Sequence, residues 1–243
     1  MFYSLRHPGV MAVTLSAAGI LTVTMGIRQT FGLFISPINA STGMSIATIS
    51  LAMAIGQFTW GAIQPVAGAV ADRYGPQRVL AAGLLILALG CAVAPFMTEG
   101  FGLTVALGLL ASIGSGIGSF SVLIGAAAAR LPEESRGTAS GVINAGGSFG
   151  QFVFAPVVQK LIQAVGWMGA LWAMALVALA SLPLISRLVK SGGAPPAPVA
   201  GEQRLGEAVR AASRDRSYWL LHLGFFTCGF HIAFLVTHLP GEV

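Results

Sequence analysis

Long apolar runs separated by short polar turns constrain this chain more than any other feature. After Arg6 and His7, such runs cover about Val10–Phe34, Ser45–Ala71, Val79–Met97, Phe101–Ala127, Thr138–Ile162 and Trp167–Leu188. A helix of about 20 residues, rising ~1.5 Å per residue, crosses a hydrocarbon core of ~30 Å. Hydrocarbon offers no hydrogen bonds to the backbone, so runs of this length have to be helices. The expected class is all-α and polytopic, a six-helix transmembrane bundle. The first run is longer than the roughly 7–15 apolar residues of a signal peptide and is followed by more of its kind. It is therefore expected to be the first spanning helix.

Composition supports this class. Hydrophobic residues make up 55% of the chain and charged residues only 9%, against roughly 25% charged in soluble domains. The 32 glycines lie among Leu, Ile, Val and Phe without a period of three, which excludes collagen and fits close helix packing. Within the fourth run, Gly108, Ser112 and Gly116 recur every four residues, as do Gly114 and Gly118. The net charge of +5 sits in turns and forms no basic face, so the expected partner is the lipid bilayer and no nucleic acid. Cys91 and Cys228 lie inside apolar runs, without the spacing of a metal site or a disulfide framework.

The charged turns give the chain a direction. Gly68-Ala-Val-Ala-Asp72-Arg73-Tyr-Gly75-Pro-Gln-Arg78 joins the second and third runs, and Arg130-Leu-Pro-Glu133-Glu134-Ser-Arg136-Gly137 joins the fourth and fifth. With a cytoplasmic N-terminus, the inner segments hold Arg6, Arg73, Arg78, Arg130, Arg136, Arg187, Lys190, Arg204, Arg210, Arg214 and Arg216, leaving only Arg28 and Lys160 of the 13 Lys and Arg residues. Short loops rich in Lys and Arg stay on the cytoplasmic face. The expectation is a multi-pass protein of the cell membrane. Its parts are a bundle over 1–188, a cytoplasmic central loop over 189–217 and a seventh, truncated-half helix over 218–243. The loop contains the Pro- and Gly-rich linker Ser191–Pro198 and an amphipathic stretch over Gly201–Arg216 suited to the membrane surface.

Polar residues inside the runs are the candidates for function. Arg28 is a charge at membrane depth, which is costly unless it faces a cavity, a partner or the interface. Anion binding, a structural pairing and snorkelling all remain open for it. Gln57, Trp60 and Gln64 share one face of the second helix, and Asn144, Ser148 and Gln151 share one face of the fifth. Either set could line a polar cavity or bond helix to helix. Phe31 and Phe34 are candidates for an aromatic wall beside Arg28 or for packing. His231 and His238 share a face of the seventh run, where His222 also lies, and could serve substrate, protons or structure. No HExxH, P-loop or nucleophile-elbow pattern occurs, so neither an enzyme nor a metal or other cofactor is expected.

The pattern Gly68-xxx-Asp72-Arg73-x-Gly75-xx-Arg78 resembles the signature loop of the major facilitator superfamily, departing from it at Pro76 and Gln77. Gly26-Ile-Arg-Gln-Thr-Phe-Gly-Leu-Phe34 and Gly229-Phe-His231-Ile-Ala-Phe-Leu-Val-Thr-His238-Leu-Pro240 are similar to bacterial members of the monocarboxylate porter and oxalate–formate antiporter group. The resemblance implies two six-helix bundles rocking about a central site, of which this chain would hold the first bundle and part of the second. A missing C-terminal half is then a partner, and a transport-inactive fragment with a structural or regulatory role is the alternative. A small organic anion is the implied substrate, moved with protons or against a counter-anion. Implied substrate contacts are Arg28, Phe31, Gln57, Gln64, Asn144, Gln151 and His231. Gly68, Asp72, Arg73, Gly75 and Arg78 are implied in conformational gating.

The charge bias predicts the accessibility of single cysteines introduced along the chain. Sites near residues 75, 133 and 200 should react with impermeant reagents only from the cytoplasm, and sites near 40, 99 and 164 only from outside. A reversed labelling pattern would overturn the assigned direction.

Overall fold

The computed structural model describes residues 8–190 and 210–238, with side chains as far as 188 in the first stretch and 232 in the second. The linker at 191–198, most of the amphipathic stretch at 201–216, Arg6, His7 and residues 239–243 lie outside the described residues, as does the His238 side chain. The chain divides into two compact units, Met1–Pro195 and Pro196–Val243.

All described regular structure is helical. The first unit contains α1 (Pro8–Gln29), α2 (Ile35–Thr42), α3 (Ile46–Tyr74), α4 (Pro76–Val93), α5 (Gly100–Leu103), α6 (Ser112–Ile117), α7 (Phe120–Ala128), α8 (Glu133–Ala180) and α9 (Leu182–Lys190). Short 3-10 turns at Phe31–Phe34 and Ala94–Phe96 and a π-helix at Thr104–Ala111 fill gaps between them. The second unit contributes α10 (Arg216–His238). Among the described residues five helical stretches are long and apolar enough to cross a membrane: Pro8–Thr42, Ile46–Tyr74, Pro76–Phe96, Gly100–Ala128 and Glu133–Leu188.

Several element boundaries depart from those expected. The segment 35–44, expected as a loop, is helical through Thr42. Pro37 falls in the first turn of α2, where its missing N–H costs nothing, and the Gly43 N–H closes the helix on Asn39 O at 3.0 Å. The hydroxyl of Ser45 then caps α3 by accepting from Thr48 N at 3.1 Å, a common N-cap arrangement. The fourth run, expected as one helix, is segmented. Its π-helical part leads to Ser112, whose Oγ donates to Leu107 O at 2.8 Å, and the chain breaks at Gly118 and Ser119 before α7 begins. Helix α8 starts at Glu133 inside the second charged hinge, and Pro156 lies within it.

The longest stretch, Glu133–Leu188, has 56 residues, or about 84 Å as a straight helix, far more than a bilayer core requires. It is interrupted at Gly166, whose φ of 75° and ψ of 168° are not helical and suit only a residue without a Cβ. The arms on either side meet α1 in opposite registers. A Cβ added at Gly146 would lie 2.9 Å from Ala18 O, one at Gly150 would strike Thr22 O, and one at Gly26 would lie 2.5 Å from the Phe154 ring. These contacts ascend together. Beyond Gly166, Thr30 Oγ1 meets Met174 Sδ at 3.5 Å and Leu184 packs at Gly19, so the contacts descend. The chain therefore doubles back between the arms.

Close backbone approach also joins the other helices. A Cβ at Gly108 would lie 2.8 Å from Ala52 O and one at Gly116 3.0 Å from Trp60 O, whereas one at Gly114 would lie 2.6 Å from Gly83 O. The apolar core forms two clusters. One contains Ile27, Phe31, Phe34, Ile49, Leu87, Leu103 and Leu171. The other contains Val13, Leu21, Met25, Leu80, Leu84, Leu123 and Ile143. Large apolar side chains such as Phe58, Phe101, Phe149 and Leu176 point outward, a surface matched to lipid tails rather than to water.

Gly150 and Gly125 should respond in opposite senses to alanine. At Gly150 the added methyl meets the α1 backbone, whereas at Gly125 nothing lies within 4 Å. Gly150→Ala should destabilise the fold by about 1–3 kcal/mol, and Gly125→Ala should be neutral or stabilising by up to ~1 kcal/mol. Thermal unfolding of the purified variants in one detergent checks this, and equal melting temperatures would contradict the contact.

Candidate functional site

The site is built around Arg28, one residue before the end of α1. Here the core passes from the cluster containing Met25 to the one containing Ile27 and Phe31, so the neighbours of Arg28 face inward while the Arg28 side chain is half-buried. Helix α3 lies across from it. The Arg28 guanidinium carbon sits 3.9 Å from the centre of the Trp60 ring, within the range of a cation–π contact. Its Nη2 donates to Gln57 Oε1. Gln57 and Trp60 are three residues apart and so share a helix face.

The donors here outnumber the acceptors. A guanidinium carries five N–H groups and no acceptor, and indole carries one N–H. Arg28 Nε and Trp60 Nε1 are both buried without a hydrogen-bond partner among the described residues, as is Ser50 Oγ two turns back along the same face of α3. A buried donor left unsatisfied costs about 1–3 kcal/mol, and more when charged. No acidic residue compensates within the first bundle, because Asp72, Glu99, Glu133 and Glu134 all lie at helix ends or turns. The surroundings of Arg28 are thus positive, donor-rich and poor in acceptors.

The polar face of α3 continues past Trp60. Gln64 Oε1 accepts from Ser121 Oγ at 3.2 Å, which ties α3 to α7 just beyond the break at Gly118 and Ser119. Ser121 was not among the residues singled out from the sequence, and its only signal there is its place after that Gly-Ser pair. Gly61 and Gly68 adjoin the same face, and a Cβ on either would meet nothing within 4 Å. The break itself is held by α1, since Thr24 Oγ1 donates to Gly118 O at 2.8 Å. Two residues earlier, Thr22 Oγ1 donates to Gly146 O, also at 2.8 Å.

The remaining candidates are placed differently. Phe31 is only 7% exposed and Phe34 is fully buried, so both fill the core and offer little surface to a ligand. Asn144 and Ser148 are exposed and Gln151 half-buried on α8, along the side of the helix turned from its glycine contacts with α1. They form a polar stripe separate from the Arg28, Gln57 and Trp60 group. His222 and His231 are exposed on α10 in the second unit. His222 Nδ1 lies 3.0 Å from Tyr218 O one turn back. Asp72, Arg73 and Arg78 are exposed around Gly75, whose φ of 87° turns the chain from α3 into Pro76 at the start of α4. Among the described residues no group of three or more His, Cys, Asp or Glu could hold a metal ion.

Residues 17–241 match the Major Facilitator Superfamily. The chain belongs to this family. Among curated members of the superfamily, it is 30% identical over 174 residues to monocarboxylate transporter 13 of Rattus norvegicus, an alignment covering 72% of this chain and 40% of that protein. It is 25% identical over 228 residues to the oxalate:formate antiporter of Oxalobacter formigenes, covering 90% of this chain and 52% of the antiporter. Human monocarboxylate transporter 11 is 32% identical over 152 residues, 61% of this chain and 31% of the transporter. This facilitator chain thus spans about half the length, or less, of the relatives it matches. The hinge around Gly75 and Arg28 both fall within the matched residues.

Proposed function

We propose that this chain holds the first six-pass half of a secondary transporter and the start of its second half, with its N-terminus in the cytoplasm, and that it binds a small organic anion at Arg28. Six passes follow if the two arms of Glu133–Leu188 each cross the membrane, as their opposite registers against α1 support. Helix α10 would begin the second half.

The observation that carries the anion assignment is the buried donor surplus at Arg28. Among the described residues the guanidinium has one side-chain acceptor, Gln57, and its Nε is left without one. A carboxylate would supply two oxygens and the opposite charge, and the guanidinium fork matches it with paired hydrogen bonds. That relatives carry the names monocarboxylate transporter and oxalate:formate antiporter supports a carboxylate cargo. Gln57 holds the guanidinium against α3, and Gln64 extends the polar path toward Ser121. Asn144, Gln151 and His231 are proposed as further contacts once the two bundles enclose a substrate. Gly68, Asp72, Arg73, Gly75 and Arg78 are proposed to gate alternating access at the cytoplasmic ends. Coupling to protons or to a counter-anion is decided by imposing pH and counter-substrate gradients on the longest reading frame that contains this chain.

Substitution of Arg28 tests the site. Calorimetry with sodium oxalate and sodium lactate on the purified protein should show saturable binding, lost in Arg28→Gln and weakened in Arg28→Lys. The loss should reach about 2 kcal/mol or more, the usual cost of removing one member of a buried charge pair. Snorkelling predicts instead that Lys is nearly neutral, because its stem also reaches the interface. Unchanged affinity in Arg28→Gln would remove Arg28 from the site.

A further inference from the structure

Trp60 holds the second unused donor of the Arg28 cluster, and nothing in the transport assignment uses it. Its indole ring lies under the guanidinium, with the Arg28 carbon 3.9 Å from the ring centre. Its Nε1–H is buried and has no acceptor among the described residues. Indole is a donor only, so that N–H can be satisfied only by a group bringing a lone pair. Arg28 Nε is in the same condition on the other member of the same stacked pair. Two orphan donors, one charged and one neutral, thus belong to two planar groups in van der Waals contact.

The ring contact alone does not explain this arrangement. If Trp60 served only as a cation–π platform, a phenyl ring would do part of the same work without an N–H, and a buried N–H without an acceptor adds a desolvation cost. Packing does not supply the acceptor. Trp60 is half-buried on the polar face of α3, next to Gln57 and one turn from Gln64, whose oxygens are already used by Arg28 and Ser121. An acceptor for both donors has to come from outside the described residues.

We infer that Trp60 is a specificity-determining member of the anion site, with its Nε1–H donating to one oxygen of the carboxylate that Arg28 holds. This deepens the assignment of Arg28 as the anion anchor and rests on it. The ligand class is then an oxyanion with two adjacent oxygens, a carboxylate in preference to a single-centre anion such as chloride. Gln57 acts here as a positioning residue, because its amide oxygen holds the guanidinium while the Nε edge stays available. Trp60 touches the anion directly.

The test compares Trp60→Phe, which keeps a smaller aromatic face under the guanidinium and removes the N–H together with the pyrrole ring, with Arg28→Gln. Calorimetry on the purified full chain in lipid nanodiscs uses sodium oxalate and sodium lactate as probes, with sodium chloride as the single-centre comparison. The expected result is loss of binding in Arg28→Gln and roughly tenfold or greater weakening in Trp60→Phe, the effect of losing one hydrogen bond to a charged group. Chloride should not compete at equal concentration. Wild-type affinity in Trp60→Phe, with binding still lost in Arg28→Gln, would overturn the role of Trp60 and leave the Arg28 assignment standing. Absence of oxalate and lactate binding in the wild type, or its persistence in Arg28→Gln, would overturn both. A measurement on the unsubstituted site does not depend on the variant folding. The chain has four tryptophans, and indole 15N labelling gives one N–H resonance for each, assigned by replacing Trp167, Trp172 and Trp219 in turn. Oxalate should move the Trp60 resonance downfield with a saturable dependence, and a resonance that stays fixed while calorimetry shows binding would refute the hydrogen bond.

Discussion

Hydrocarbon supplies no hydrogen bonds and no hydrophobic force between helices, so a membrane bundle depends on how closely its backbones can meet. In this protein α1 is where that constraint is met most fully. Gly146 and Gly150 bring α8 onto the α1 backbone at Ala18 and Thr22. The hydroxyls of Thr22 and Thr24 then cross to Gly146 O and Gly118 O. A side chain larger than hydrogen at the glycines would push these helices apart, and one without a hydroxyl at the threonines would lose the crossing bonds. Each threonine also bonds back to its own helix, Thr22 to Ala18 O and Thr24 to Ile20 O, so no donor is lost if the crossing bond stretches.

The same helix places the charge. Arg28 lies one turn beyond Thr24, where the small residues that pack α1 give way to the bulky Phe31 and Phe34. It projects from a helix whose depth is set by contacts with other backbones, onto a face of α3 that offers one amide oxygen and one aromatic ring. Strong pairing with a carboxylate side chain would have stabilised the apo fold and competed with any ligand. A neutral Gln57 holds the guanidinium in place with a weaker bond than a carboxylate side chain would make.

Much of this architecture was legible in the sequence because lipid imposes strong rules on length and polarity. Run length set the helical class, and the recurrence of Gly108, Ser112 and Gly116 marked a close-packed face that meets α3. The Gly75 hinge could be read from its flanking charges and from Pro76. What escaped was local backbone form. Segment 35–44 lacks charge and carries Pro37, Gly43 and several Ser, Thr and Asn residues, a loop-like composition. Those residues act instead as first-turn proline and end caps of α2. The π-helix at Thr104–Ala111 left no periodic mark, because a run that is apolar on all sides looks the same at any pitch. At the candidate site, Arg28, Gln57 and Gln64 were visible as polar exceptions in apolar runs. Trp60 and Ser121 were harder to assign, since an aromatic or a serine in a membrane helix is ordinarily packing.

The reversal at Gly166 has a mechanical consequence. Helix α1 is gripped by one arm of the Glu133–Leu188 stretch running alongside it and by another running against it, the first meeting its backbone at Ala18 and Thr22 and the second reaching it at Gly19 and just past its end at Thr30. Sliding α1 by one turn would have to climb both sets of ridges at once, and the arms are joined by too short a turn to move apart independently. The three segments are therefore keyed to one another along the length of α1. The height of the Arg28 charge relative to the two arms is then set by the backbone packing of α1 rather than by the reach of its own side chain.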